Sequence, residues 1–301
     1  MSELMLQTVG LKKSFGGVTA LNELALNVPR GAVYGLVGPN GAGKTTVIRH
    51  LAGVYRQDAG EVFVCGERVY ENPAVKARIA TIPDEIAYHL NDSIETLARF
   101  YASVSPRFDR ARFEQLRESF RLDSRRPMRR LSKGMQKQAA FWLALSQCPE
   151  VLILDEPVDG LDPVMRRMVW SLILDDVAAR GTTVLVSSHN LRELEDVCDH
   201  VGIMNGGKML LERTLSELQD NIVKIQLAYA DGGEPPRDLE ILHESSLGRL
   251  RQLILRGKSD ELQARLAATQ PLFMDVVPLS LEEIFIYELG GAGNELTDMV
   301  L

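Results

Sequence analysis

The segment Gly38-Pro39-Asn40-Gly41-Ala42-Gly43-Lys44-Thr45 constrains this chain more than any other. A short apolar run, Val33 to Val37, precedes it, and a helix-like run, Thr46 to Leu51, follows. Strand, glycine-rich turn and helix in that order are the context in which such a segment forms a P-loop. Successive backbone N–H groups of the turn point inward and surround phosphate oxygens. The free N–H groups at the helix start add a positive dipole end. Lys44 is expected to reach the β- and γ-phosphates, and the Thr45 hydroxyl to hold Mg²⁺. The expected ligand is a nucleoside triphosphate.

Two further segments stand where an α/β sheet would present them beside that loop, and a third precedes a helix. Val151-Leu152-Ile153-Leu154-Asp155-Glu156 is a buried-strand pattern ending in two carboxylates. Open α/β sheets bind ligands at the carboxyl ends of their strands. Asp155 suits Mg²⁺ coordination, direct or through water, and Glu156 can then polarise an attacking water. His189 ends the next apolar run, Val186-Ser187-Ser188-His189, and a neutral imidazole there could contact the γ-phosphate or that water. Leu131-Ser132-Lys133-Gly134-Met135 precedes a helix over Gln136 to Gln147. Ser132 is its expected N-cap, which would leave a helix start open to an anion.

The rest of the chain gives a coarse plan. Strands are expected over Leu4–Phe15, Ala25–Val28 and Glu61–Val69, the last with a turn at Cys65-Gly66-Glu67. From Ser93 to about Leu122 the apolar spacing is helical, broken at Ser105-Pro106. Val151–Leu154 and Thr183–Val186 read as buried parallel strands, followed by helices over Val164–Arg180 and Leu191–Cys198. Val201–Leu211 reads as two strands joined at Asn205-Gly206. Composition shifts near Asn221, and Asp231-Gly232-Gly233-Glu234-Pro235-Pro236 reads as a linker or long turn. The part beyond Asn221 is expected to hold strands at Val223–Ala228 and Phe273–Val277, a helix at Ser259–Thr269 and a short helix from Leu281. The expected domains are 1–220, with a helical part at about 85–150, and an α+β appendage at 221–301.

A net charge of −7 disfavours a dedicated nucleic-acid binder, and Arg125–Arg130 reads as a solvated loop. Three widely spaced cysteines, Cys65, Cys148 and Cys198, indicate neither a zinc site nor a disulfide framework. The start of the chain lacks a signal-peptide pattern, and no apolar stretch of 18 residues occurs. A membrane role would therefore need another polypeptide to supply the membrane part.

Taken together, these segments resemble the ATP-binding subunits of ABC transporters. Gly38–Thr45 matches that family's Walker A motif, and Leu152–Glu156 its Walker B with the catalytic glutamate. Leu131–Met135 matches the signature, Val158-Asp159-Gly160-Leu161-Asp162 the D-loop, and His189 the switch histidine. The resemblance implies a P-loop α/β core carrying an antiparallel β subdomain and a helical subdomain. It implies that ATP and Mg²⁺ are bound and ATP is hydrolysed, with Glu156, His189 and Lys44 catalytic. ATP would contact Phe15, Gly38, Pro39, Asn40, Gly41, Ala42, Gly43, Lys44, Thr45 and Thr46, and, across a dimer, Ser132, Gly134 and Asp162. The metal would be held by Thr45, Asp84 and Asp155.

Departures from the family pattern are informative. The signature usually reads Leu-Ser-Gly-Gly-Gln, and here its third and fifth residues are Lys133 and Met135. The loop glutamine is missing from Ile82-Pro83-Asp84-Glu85, where Asp84 is its counterpart, and the adenine-stacking aromatic is Phe15. These variants, with Ser280-Leu281-Glu282-Glu283-Ile284-Phe285, resemble the bacterial ABC-2-type exporter ATPases. The implied partners are an integral-membrane permease and a second ATP-binding subunit, at the cytoplasmic face of the membrane. The alternative is an ABC-type ATPase acting on a macromolecular complex. Ribosome-acting members usually carry two ATP domains and DNA-repair members long coiled coils, whereas this chain has one P-loop and no sustained heptads. A GTPase reading lacks the guanine motif.

Overall fold

The computed structural model describes residues 3–230, 233–236 and 238–289. In chain order its elements begin β1 (Leu4–Phe15), β2 (Val18–Pro29), β3 (Val33–Val37), α1 (Lys44–Leu51), β4 (Ala59–Val64), β5 (Glu67–Arg68), α2 (Pro73–Lys76) and β6 (Ile79–Ile82). They continue with α3 (Ile94–Val104), α4 (Arg110–Phe120), α5 (Lys133–Ser146), β7 (Val151–Asp155), α6 (Pro163–Arg180), β8 (Thr183–Ser188), β9 (His200–Asn205) and β10 (Lys208–Thr214). Last come α7 (Leu215–Asn221), β11 (Ile222–Ala228), β12 (Ile241–Leu247), β13 (Leu250–Arg256), α8 (Ser259–Ala267), β14 (Phe273–Val277) and α9 (Leu281–Leu289). Two compact units result. The first is the chain to His189 together with Val197–Glu212; the second is Asn190–Asp196 together with the chain from Arg213 onward.

In the first unit one sheet runs β10-β9-β3-β8-β7-β6. β3 pairs in parallel with β8 and β9, and β7 in parallel with β6 and β8. Every residue of β3, β7 and β8 is buried, which is why Val33–Val37, Val151–Leu154 and Thr183–Val186 read as near-continuous apolar runs. Because the three are parallel, their carboxyl ends share one edge of the sheet. That edge receives the turn after Val37, the Asp155-Glu156 pair and His189. The Asn205-Gly206 signal marks the turn into β10, as the dipeptide predicts.

A second, antiparallel sheet runs β2-β1-β4-β5. Its Leu6, Leu11, Leu24 and Leu26 share a core with Tyr34 and Leu36 of β3 and Val47 and Leu51 of α1. The expected break at Ser105-Pro106 separates α3 from α4. Ser93 caps α3 in a reciprocal box with Thr96. Trp142 of α5, fully buried, stacks on Phe113 of α4 at 4.7 Å and donates its indole N–H to the Phe113 carbonyl at 2.8 Å. Cys148 and Cys198 are buried and Cys65 half-buried, all as free thiols, and burial pushes the Cys198 thiol far up.

Antiparallel strands in the order β12-β13-β11-β14 form the sheet of the second unit. Val223, Ile225 and Leu227 alternate inward along β11 and meet Leu253 and Leu255 of β13 and Leu262 and Leu266 of α8. The helix expected over Leu191–Cys198 is not formed; only Leu191–Glu193 makes a single 3₁₀ turn. Tertiary partners within the second unit hold this segment instead. Arg192 lies 2.8 Å from the Glu282 carboxylate, and the Glu195 carboxylate accepts the Leu281 N–H at 3.0 Å. β6, β12 and β13 were not foreseen. β12 is mostly exposed, so it lacks the alternation that betrays a half-buried strand. Asp231 and Gly232 of the expected turn lie outside the described residues. No described helix is long and apolar enough to cross a membrane.

Candidate functional site

The turn after β3 folds as a tight cradle. Gly43 has φ 105° and ends the turn as the N-cap of α1 without a side-chain cap. A Cβ there would lie 2.8 Å from the Ala20 carbonyl oxygen, so glycine is required by both conformation and space. The Gly207 N–H, from the turn between β9 and β10, donates to the Ala42 carbonyl at 3.0 Å and braces the loop from behind. Ala42 is buried, and Pro39, Asn40 and Gly41 form the outer rim. Lys44 is only 6% exposed. Its ammonium donates to the Gly38 carbonyl at 2.6 Å and the Pro39 carbonyl at 3.4 Å. Thr45 and Thr46 follow in the first turn of α1.

Glu156 reaches the same ammonium. Its Oε1 is 3.5 Å from Lys44 Nζ, and its Oε2 is 2.9 Å from His189 Nδ1. An ionised carboxylate only accepts, so Nδ1 is the donor in that bond. The structure therefore brings together Lys44 from the start of α1 and Glu156 and His189 from just beyond β7 and β8. Asp155, just before, is buried. Its Oδ1 accepts the Ser187 hydroxyl at 2.6 Å, and Ser187 Oγ in turn accepts the Glu156 N–H at 3.1 Å. Glu156 has φ 45°, a left-handed backbone that is costly for a residue with a Cβ. Lys137, from α5, donates to the Glu156 carbonyl at 2.6 Å.

The other candidates occupy distinct settings. Phe15 ends β1, is 44% exposed, and tilts against Tyr55 at 5.4 Å with Lys13 over its ring. Ser132 caps α5 by accepting the Met135 N–H at 3.2 Å, and Gly134 sits in its first turn. Gln136 donates to Tyr88 Oη and to the Met128 and Leu131 carbonyls, fixing the turn that leads into α5. Asp162 Oδ1 caps α6, accepting from the Val164 and Met165 N–H groups at 3.0 Å each. Asp84 is more than half exposed and stands 3.6 Å from Lys137 Nζ. It lines a cavity of about 530 Å³ with Lys133, Lys137 and Asp159.

Thr45 and Asp155 offer hard oxygen donors of the type Mg²⁺ takes, and the backbone cradle with Lys44 suits the phosphates it would accompany. Glu156, Asp159 and His189 also bring one donor atom each to within 4.8 Å of one another. Ser187, Lys137 and Asp159 escaped the sequence reading as members of the site. Ser187 lay in a quoted segment, and the strand pairing Asp155↔Ser187 is what gives it a role.

Residues 21–159 match the family described as "ABC transporter". The chain is 31% identical to the Nod factor export ATP-binding protein I of Bradyrhizobium diazoefficiens, over 95% of this chain and 96% of that one. It is 37% identical to the daunorubicin resistance ATP-binding protein DrrA3 of Streptomyces coeruleorubidus, over 73% and 71%. A solved structure described as the ATP binding subunit of an ABC transporter superposes with a TM-score of 0.67 at 26% identity. That superposition covers 71% of this chain and 92% of the other.

Proposed function

Since the chain belongs to the family of ABC transporter ATP-binding proteins, we propose that it hydrolyses ATP to drive a separate membrane permease. The observation that carries this reading is the Glu156 carboxylate held between Lys44 Nζ and His189 Nδ1 at the edge of the sheet. Phe15 offers its ring to the adenine. The cradle from Gly38 to Thr46 binds the phosphates, with Lys44 turning from its own loop carbonyls to the γ-phosphate. Glu156 takes the proton of the attacking water, and His189 holds Glu156 and that water in line. Thr45 and Asp155, with Asp84 through its loop, would hold Mg²⁺, which supplies charge neutralisation at the β- and γ-phosphates when bound.

The second half of each site comes from a second ATP-binding subunit. Ser132 and Gly134, at the open start of α5, would meet the partner's γ-phosphate and place a helix dipole against its developing charge. Asp162 would stand at the same junction. Hydrolysis removes the phosphate that joins the two halves. The permease docks on the helical part between Ser93 and Leu122. Phe100 and Val104 of α3 are exposed there, and Tyr88, Leu97 and Tyr101 line an adjoining cavity of about 350 Å³. We assign the protein to the cytoplasmic face of the membrane and the transport direction to export. The relatives named for Nod factor export and daunorubicin resistance support that direction.

Lys44→Ala tests the assignment. It removes the cradle's fixed cation, and ATP turnover should be abolished. Turnover within about threefold of wild type, a barrier change below roughly 0.7 kcal/mol, would refute the P-loop role.

A further inference from the structure

We propose that Lys137 is a positioning residue for hydrolysis, tying the Glu156 backbone to α5 so that the helix bearing Ser132 and Gly134 sets the position of the base. The inference rests on the hydrolytic reading above and adds to it a residue outside the recognised motifs. Lys137 is 7% exposed and lies one turn into α5. Its ammonium donates to the Glu156 carbonyl at 2.6 Å. Asp84 Oδ1, at 3.6 Å, supplies the counter-charge that a nearly buried ammonium needs.

Two tertiary hydrogen bonds hold the Glu156 peptide. Its left-handed backbone is disfavoured locally, so tertiary bonds must hold it. Ser187 accepts its N–H from the β8 side, and Lys137 donates to its carbonyl from the α5 side. The two bonds grip the residue from opposite elements. The Glu156 carboxylate is thereby left to Lys44 and His189. A second contact makes the coupling to α5 stiff. A Cβ on Gly134 would lie 2.8 Å from the Gly160 carbonyl oxygen, so the first turn of α5 rests directly on the loop that follows Glu156. A shift of α5 beyond what the lysine stem can absorb would move Glu156 or break the Lys137 bond. Under the dimer reading, phosphate contacts made by Ser132 and Gly134 on one side of α5 bear on the base of the same chain. The two ATP sites would communicate through this lysine.

The test compares K137M, which keeps the length and apolar stem, with K137R, which restores charged donors. Turnover, KM and fluorescent-ATP affinity are measured on the full chain, with thermal denaturation alongside. K137M should lower kcat by at least about tenfold, the loss of one buried charged hydrogen bond, and leave ATP affinity within about twofold. K137R should recover kcat to within about threefold of wild type. A merely structural role would lower ATP affinity and the denaturation midpoint together, and K137R would give no selective rescue. If K137M gives no soluble protein, K137Q replaces it, with an expected fall in kcat of at least about fivefold at unchanged ATP affinity. Wild-type kcat in K137M, or in K137Q where that is used, overturns the inference while leaving the functional reading intact. A wild-type chain without ATP turnover overturns both.

Discussion

Replacing Ser187 by Ala removes one hydroxyl and two hydrogen bonds from beneath the proposed base. Ser187 is fully buried at the end of β8. It donates to Asp155 Oδ1 at 2.6 Å and accepts the Glu156 N–H at 3.1 Å. The first bond goes to a charged group and contributes about 1.5–3 kcal/mol. The second opposes the left-handed cost at Glu156, which is about 1–2 kcal/mol. Alanine fits the strand, so β8 and its pairing should persist while Asp155 and Glu156 lose their common anchor. If the charged bond acts mainly in the transition state, its loss lowers turnover by about 10- to 150-fold. ATP affinity depends on the cradle after β3 and should change by less than about threefold. Steady-state ATPase assays with a fluorescent-nucleotide titration separate the two effects. Turnover within about threefold of wild type would refute the claim that Ser187 positions the pair. A parallel loss of ATP affinity in a folded variant would move its role to the phosphate cradle.

Two other outcomes follow from named contacts. Asp84→Ala should impair Mg²⁺-dependent turnover, because Asp84 follows Pro83 at the loop position and faces Lys137, while Glu85→Ala should not; impairment of Glu85→Ala alone would shift the assignment by one residue. His50, buried on α1 with Nδ1 donating to the Thr46 carbonyl at 2.7 Å, is held by burial below the ordinary imidazole pKa of about 6.5. The unfolded chain therefore takes up that proton first. Its contribution to stability is complete above about pH 6.5 and is lost as pH falls through the lowered folded value. Denaturant midpoints at about pH 7.5 and about pH 5.5, either side of the free imidazole value, should differ less in His50→Asn than in wild type, and an equal difference would contradict this.

Much of the fold was legible because local chemistry and tertiary structure agree. Gly43 must turn left-handed, Ser93 and Ser132 cap the helices they precede, and Val151 to Leu154 are apolar throughout because both faces of β7 are covered. What was not legible is long-range. Lys137 lies 19 residues from the carbonyl it grips, and nothing in the sequence near either residue signals the bond. Ser187 acquires its role only because β7 and β8 pair in register. Leu191–Cys198 has a helix-like apolar pattern, yet Glu282 and the Leu281 N–H, both far along the chain, claim Arg192 and Glu195. β12 carries polar residues on both faces and shows no period, so pairing with β13 alone makes it a strand.

The most direct measurement is Glu156→Gln in the presence of ATP and Mg²⁺. Glutamine keeps the shape of the side chain and one of the two acceptor oxygens that face Lys44 and His189, and it cannot take a proton from water. The variant should bind ATP, fail to hydrolyse it, and run as a stable dimer on gel filtration with light scattering, while the wild type turns ATP over and returns to monomer. A Glu156→Gln chain that hydrolyses ATP at the wild-type rate would contradict the account.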